Sequence, residues 1–431
     1  MTDQPFAVHA DRRFIRAVHH STRYVLVEIT APPATGTSVR PRVNVAFVLD
    51  RSGSMGGRDK IGLAKEALRE GIERLAASDR FSVVVYDQET DVVAPGRAAD
   101  ADAKRDALRR LAAIEPRGNT NLGEGWLRGA EQVATALDPE AVNRVLLLTD
   151  GLANEGMTDT AELERHAAGL RVRGVSTSTF GVGDDFDERL LGAMADAGGG
   201  AFRLIGTPEE IPTLIGSEVG ELLEVTARDV ELRVAGPDGL RVDCLSPFPL
   251  ERTSGGPVVH VGDLVADQVL RFVLVLGFPL GEIGREVGVE LTLADRGGRI
   301  DGSETLIWEF ADGARNDRQA RNVDVDRVVA RAYADRALRD AVDLNRRGAW
   351  GEARSTLRAV ARRIRAYARS DEVLRGIVAE LEREAEAWSV ERFEHERKRR
   401  YSQSTYALKS RALSGAAMRR QDHVGSDPHK P

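Results

Sequence analysis

VNVAFVLDRSGSMGG, residues 43–57, decides the fold. Its first half, Val43 to Leu49, is apolar with almost no alternation, as a strand buried on both faces requires. The apolar run ends in a turn that delivers a carboxylate and two hydroxyls two residues apart, Asp50, Ser52 and Ser54. Alternate residues of a tight loop can aim their side chains into one pocket, and three hard oxygens there suit Mg2+ or Mn2+ rather than zinc or copper. Gly53 permits the turn, and Met55-Gly56-Gly57 leads on toward a helix.

Downstream, Ile61, Ala64, Leu68, Ile72 and Leu75 recur at helical spacing. Phe81–Tyr86 reads as a strand, Asp91–Pro95 as a short edge segment, and residues 100–113 as a helix. After the loop Pro116–Asn121, Leu122, Trp126, Ala130 and Val133 line one face of another helix. Arg144–Thr149 is a second apolar strand, and it ends in Asp150-Gly151. A helix near 159–172, a strand at 175–182, a helix from 187 and a strand at 201–205 complete the series. Strands that alternate with helices and read as continuous apolar runs predict a doubly wound, mostly parallel α/β sheet over residues 42–222. Functional loops of such a sheet leave the carboxyl ends of its strands. Asp50, Ser52 and Ser54 leave one end, Asp150 leaves another, and Thr120 sits in a loop just before a helix.

In this order, Asp50-x-Ser52-x-Ser54-Met55, Gly118-Asn-Thr-Asn121 and Leu146-Leu-Leu-Thr-Asp-Gly151 resemble the three-part metal-ion-dependent adhesion site of von Willebrand factor type A domains. The resemblance covers residues 42 to about 215 and leaves half the chain aside. It implies hydroxyl ligands at Ser52, Ser54 and Thr120, with Asp50 and Asp150 acting directly or through water. With hydroxyls and waters in much of its shell, an ion keeps most of its charge, and a carboxylate from another molecule can complete the coordination.

From Val225 to Asp312 the period changes to short alternating strands between Gly, Pro and Asp turns, which predicts an antiparallel β-sandwich over 223–313. Residues 23–30 alternate in the same way, so the N-terminal segment 1–41 is expected to lend a strand to that sandwich, with the α/β domain inserted after it. Residues 314–323 read as a linker. Over 324–400, three helices are marked by Leu338/Val342, by Leu357/Val360/Ile364, and by Leu374/Ile377/Leu381/Trp388. Gly348 stands where a C-terminal cap belongs. The segment Asn345–Ala353 between the first two helices resembles a tetratricopeptide-like hairpin, and it implies a protein-docking surface. Arg397-Lys-Arg-Arg400 reads as a basic helix end. Residues 401–431 read as a disordered tail in which Ser402, Ser404, Thr405, Ser410 and Ser414 are open to phosphorylation.

The whole chain has 431 residues, a net charge of −7, 42% hydrophobic and 30% charged residues. With a pI near 5.8 it lacks the basic footprint of a nucleic-acid binder. The single Cys244 cannot form an internal disulfide, the N-terminus has no signal-peptide pattern, and Val269–Leu280 is too short to cross a bilayer. A cytoplasmic protein is expected, with no membrane partner, and its Arg- and Ala-rich composition points to a bacterium. Two function classes stand. One is a non-enzymatic, metal-dependent adaptor or scaffold whose protein partner presents an Asp or Glu carboxylate; the resemblance implies company among signalling or ATPase components. The alternative is a metal-dependent hydrolase using the same ion, for which Asp87 is the one extra acid to nominate as a general base. The loop reads as a surface feature, so Asp50→Ala is expected to leave the fold intact.

Overall fold

The computed structural model describes residues 5–34 and 40–408, with side chains up to residue 405. The chain begins with β1 (Phe6–Ala10), β2 (Phe14–Arg16), β3 (Ser21–Thr30), β4 (Val43–Asp50), α1 (Lys60–Arg74), β5 (Arg80–Tyr86), β6 (Thr90–Ala98) and α2 (Ala101–Ala112). Next come α3 (Leu122–Ala134), β7 (Val142–Thr149), α4 (Thr160–Val172), β8 (Ser176–Val182), α5 (Glu188–Ala197), β9 (Gly199–Ile205) and α6 (Ile211–Leu223). Seven strands follow: β10 (Val225–Ala235), β11 (Arg241–Cys244), β12 (Leu250–Thr253), β13 (Gly256–Val265), β14 (Val269–Phe278), β15 (Glu286–Ala294) and β16 (Asp301–Ala311). The last helices are α7 (Gly313–Arg318), α8 (Val323–Arg346), α9 (Trp350–Ala368), α10 (Glu372–Ala387) and α11 (Glu394–Leu408). Two units result, one built from Pro33–Arg228 with Gly262–Ala266, the other from the remaining described residues.

The first unit is an α/β layer structure. Its sheet has the order β6-β5-β4-β7-β8-β9, parallel except for the antiparallel edge strand β6. β4 and β7 are buried along their whole length, which explains their unbroken apolar reading. Helices α2, α3, α4 and α5 each begin at a side chain that accepts from their first-turn amides: Asp100, Asn121, Asp159 and Asp187. On α1, Ile61, Ala64, Leu68 and Ile72 join Val45, Phe47 and Val83 in one core. The Trp126 indole is buried and donates to Thr177 Oγ1 at 3.2 Å. Helix α3 packs on the sheet through glycines. A Cβ at Gly129 would sit 2.3 Å from Val48 Cγ2, and one at Gly125 2.4 Å from Tyr86 Cγ. Gly129→Ala should therefore lift α3 and destabilise the unit by about 1–3 kcal/mol, the usual cost of overpacking, read as a lower chemical-denaturation midpoint at unchanged slope.

The second unit contains two sheets, β1-β3-β14-β11 and β12-β13-β10-β15-β16-β2. Phe278 on one meets Trp308 on the other with ring centroids 5.0 Å apart. β3 pairs along all ten of its residues with β14 and on its other side with β1. The arrangement is not wholly antiparallel: β2 joins β16 in parallel through Phe14–Arg16.

Four expectations for the C-terminal half need correction. The segment read as a linker begins in α7, where buried Asn316 bonds to Arg23, Arg16 bonds to Asp317 at 2.7 Å, and Gln319 donates to Phe14 O at 3.1 Å. The helical part has a fourth long helix, α11, so residues 401–408 of the expected tail are helical. Ion pairs tie α11 down alongside buried Tyr401: Arg400 reaches Glu380 and Glu384 at 3.2 and 2.7 Å, and Glu380 also binds Arg331 at 2.6 Å. Arg397-Lys-Arg-Arg400 thus lies within a helix and is drawn into the bundle, with Lys398 buried. Ser404 and Thr405 are also buried, so they are closed to a kinase; residues 409–431, with Ser410 and Ser414, lie outside the described residues. Phosphopeptide mapping should find Ser404 and Thr405 unmodified in the folded protein. Gly348 adopts φ +73° just past α8, as a C-terminal cap does. Helix α8 packs Val325 and Val329 on Tyr24, Leu26 and Val273, and Tyr24 and Tyr333 join hydroxyls at 3.0 Å.

Candidate metal centre

β4 and β7 are neighbours in register, Leu49 beside Leu148, and the chain leaves them toward opposite edges of the sheet. This is the switch point of the sheet, where the loops at the carboxyl ends splay apart and leave a crevice. Asp50 is the last residue of β4, and Asp150 follows directly on β7. The turn after Asp50 coils through Gly53–Asp59 and is pinned by fully buried Met55. Thr120 stands one residue before the cap of α3.

Backbone hydrogen bonds lace the loops together. Gly53 N donates to Gly118 O at 3.1 Å, Arg117 N to Arg51 O at 2.7 Å, Asn121 N to Asp87 O at 2.8 Å, and Asn154 N to Thr120 O at 3.3 Å. Gly118 is required by its backbone conformation, at φ +70°. A Cβ there would also displace the exposed Gln88 amide, falling 1.7 Å from Oε1, the atom that accepts from Asn119 N. Gly118→Ala should pull the Thr120 loop out of place and lower the melting temperature, at a cost of about 1–3 kcal/mol.

Four of the five expected residues are linked by hydrogen bonds, three through their side chains and Asp50 through the backbone amide of Ser52. Asp50 Oδ1 accepts from Ser52 N at 2.7 Å, and Oδ2 from Thr149 Oγ1 at 2.6 Å. The Ser52 and Ser54 hydroxyls are 3.1 Å apart, and Ser54 donates to Asp150 Oδ1 at 2.6 Å. Thr120 belongs to the same cluster: a Cβ at Gly151 would lie 3.3 Å from Thr120 Oγ1 and 3.9 Å from Ser54 Oγ. Asp50 and Asp150 are 0% exposed, Ser52 2% and Thr120 4%, whereas Ser54 is exposed. Asp50 is therefore not the surface residue expected above. Burial pushes its carboxyl up to about 6; the Thr149 and Ser52 hydrogen bonds oppose the rise, and the nearby charge of Asp150 adds to it. Among the described residues no group of three or more His, Cys, Asp or Glu side chains is placed to hold a metal. The donor set here is instead mixed, three hydroxyls with two carboxylates.

Sequence reading missed several neighbours. Thr149 orients Asp50, and Asn154 Oδ1 accepts from Thr120 N at 3.1 Å. Lys60 Nζ reaches Asp150 Oδ2 at 2.6 Å. Buried Arg51 donates to Asp87 at 2.9 Å and Asp91 at 2.6 Å, and Arg117 donates to Asp87 at 2.6 Å. Burial works against the charge of Asp87, but the Glu89 amide and the Arg117 and Arg51 guanidinium groups outweigh it and hold the carboxyl below its ordinary value. Thr149 was signalled by its place between an apolar strand and Asp150. The Arg51 and Arg117 pairings bridge 36 and 30 positions of sequence, and no local pattern announces them.

Residues 44–214 match the sequence model of the von Willebrand factor type A domain family. The chain carries a von Willebrand factor type A domain. Over 195 residues it is 29% identical to the uncharacterized protein YfbK of Escherichia coli K12, covering 45% of this chain and 34% of that one. Over 177 residues it is 29% identical to human inter-alpha-trypsin inhibitor heavy chain H2, covering 38% of this chain and 18% of that one. The match spans about a third of the first relative and under a fifth of the second. Two solved structures share the fold along nearly the whole chain. A von Willebrand factor type A protein from Catenulispora acidiphila superposes with a TM-score of 0.68 at 22% identity, over 89% of this chain and 96% of that one. The ArnB paralog VWA2 from Sulfolobus acidocaldarius gives 0.62 at 18% identity, over 95% and 98%. The type A domain thus accounts for the α/β unit, and its switch point carries the cluster of Asp50, Ser52, Ser54 and Asp150 with Thr120 beside it.

Proposed function

We propose that this protein is a non-enzymatic, metal-dependent binding module that acts as an adaptor or scaffold inside the cell. The observation that carries the reading is the linked cluster at the carboxyl ends of two adjacent strands: the Asp50 carboxylate on the Ser52 amide, the Ser52 hydroxyl on Ser54, and Ser54 on the Asp150 carboxylate. Ser52, Ser54 and Thr120 would hold the ion through hydroxyls, with Asp50 and Asp150 directly or through water. The all-oxygen set suits Mg2+ or Mn2+. A bound ion would supply positive charge that a partner's Asp or Glu carboxylate completes. The two carboxylates of the chain are engaged by neighbours, Asp50 on both oxygens, so they would neutralise an ion less than free carboxylates do.

The hydrolase alternative has lost its nominated base. Asp87 is held charged between two guanidinium groups, and a carboxylate so engaged is a poor proton acceptor. Among the described residues no helix is long and apolar enough to cross a membrane. The test is recovery of partners from the source cell with Mg2+, with EDTA, and with Asp50→Asn in Mg2+. A partner retained only by the wild-type protein in Mg2+, and released by a short peptide ending in Glu, is the expected result. A partner held equally well in EDTA would contradict the proposal.

A further inference from the structure

The metal centre keeps a cation of its own. Lys60 opens α1, and its ammonium donates to Asp150 Oδ2 at 2.6 Å with 14% of the side chain exposed. The other oxygen of that carboxylate accepts from Ser54, so Asp150 is shared between a proposed hydroxyl ligand and an ammonium.

This placement opposes local preference in two ways. A positive charge in the first turn of a helix faces the positive end of the macrodipole. The chain also reaches Lys60 through two successive non-glycine residues in the left-handed region, Arg58 at φ 50° and Asp59 at φ 55°. Further details hold the strained turn in place. Met55 before it and Ile61 after it are buried in the core. Sequence that breaks local rules while its surroundings support the break marks a functional position.

We propose that Lys60 is the built-in counter-cation of the metal centre, competing with a divalent ion for Asp150 and so setting the affinity of the site. The inference rests on the metal reading above. Two buried carboxylates and one ammonium carry a formal charge of −1, from −2 and +1. A divalent ion takes that sum to +1, whereas without Lys60 it would reach only zero. The ammonium therefore repels the incoming ion and leaves the loaded centre positive toward an acidic partner.

The experiment is calorimetric titration of the full chain with Mn2+, comparing wild type with Lys60→Gln, Lys60→Arg and Asp50→Asn. Lys60→Gln keeps a hydrogen-bond donor for Asp150 without the charge, and should bind Mn2+ about tenfold more tightly, given the strength of charge interactions near a protein surface. Lys60→Arg keeps the charge and should bind as the wild type does. If Lys60→Gln does not fold, Lys60→Met assembled in Mn2+ is held to the same criterion. Equal or weaker binding by the neutral variant, or equal tightening by Lys60→Arg, overturns the role of Lys60 while the metal reading stands. A wild type that takes up no Mn2+ overturns both.

Discussion

Asp50→Asn should abolish divalent-ion binding without unfolding the protein. Substitutions one shell away from a metal commonly cost 10–100-fold in affinity, so loss of a proposed charged ligand should cost about a hundredfold or more. The structural effect is separable from the loss of the ion. The introduced amide would keep an acceptor for one of the two donors, Ser52 N and Thr149 Oγ1, and it carries no charge to bury. The melting temperature of this variant should equal or exceed that of the wild type in EDTA. Asp50→Ala should lose the ion equally but also leave the Ser52 amide unpartnered in a buried position, at a cost of about 1–3 kcal/mol, while the Thr149 hydroxyl keeps Gly151 O at 3.3 Å. Calorimetry and thermal melting on the same two samples check both halves. Unchanged Mn2+ affinity in either variant would remove Asp50 from the site.

Deleting residues 1–31 should prevent the second unit from folding. β3 is an interior strand, hydrogen-bonded to β14 on one side and β1 on the other. It buries Tyr24, Val25, Leu26, Val27 and Ile29. At about 1.5–3 kcal/mol per large apolar side chain, their loss amounts to roughly 10 kcal/mol, comparable to the whole stability of a domain. It would also open an unpaired edge on β14, a template for aggregation. The 32–431 chain should be insoluble or lack one of the unfolding transitions of the intact protein. The α/β unit contains its own core and sheet, so a 33–228 fragment should fold alone. A truncated 32–431 chain that melts as the full-length protein does would contradict this account.

Much of this architecture could be read in the sequence wherever the governing interactions are local. The continuous apolar runs of β4 and β7 follow from burial on both faces, and the spacing of Asp50, Ser52 and Ser54 from a single turn. Tertiary pairings left no such mark. β2 is three residues long and joins β16 from almost 300 positions away, too short a segment to show any period. Helix α11 is polar because ion pairs to Glu380 and Glu384 hold it, so its composition resembled that of an unpacked tail. Lys60 carries no sequence signal of its own. Its meaning depends on Asp150, 90 residues on, being folded against it.

The most direct measurement on the central claim is a crystal structure of the protein grown with Mn2+, with anomalous diffraction recorded to locate the ion. The account predicts one strong peak within coordination distance of the Ser52, Ser54 and Thr120 hydroxyls, flanked by Asp50 and Asp150. A peak elsewhere, or none at these five residues in saturating Mn2+, would contradict it.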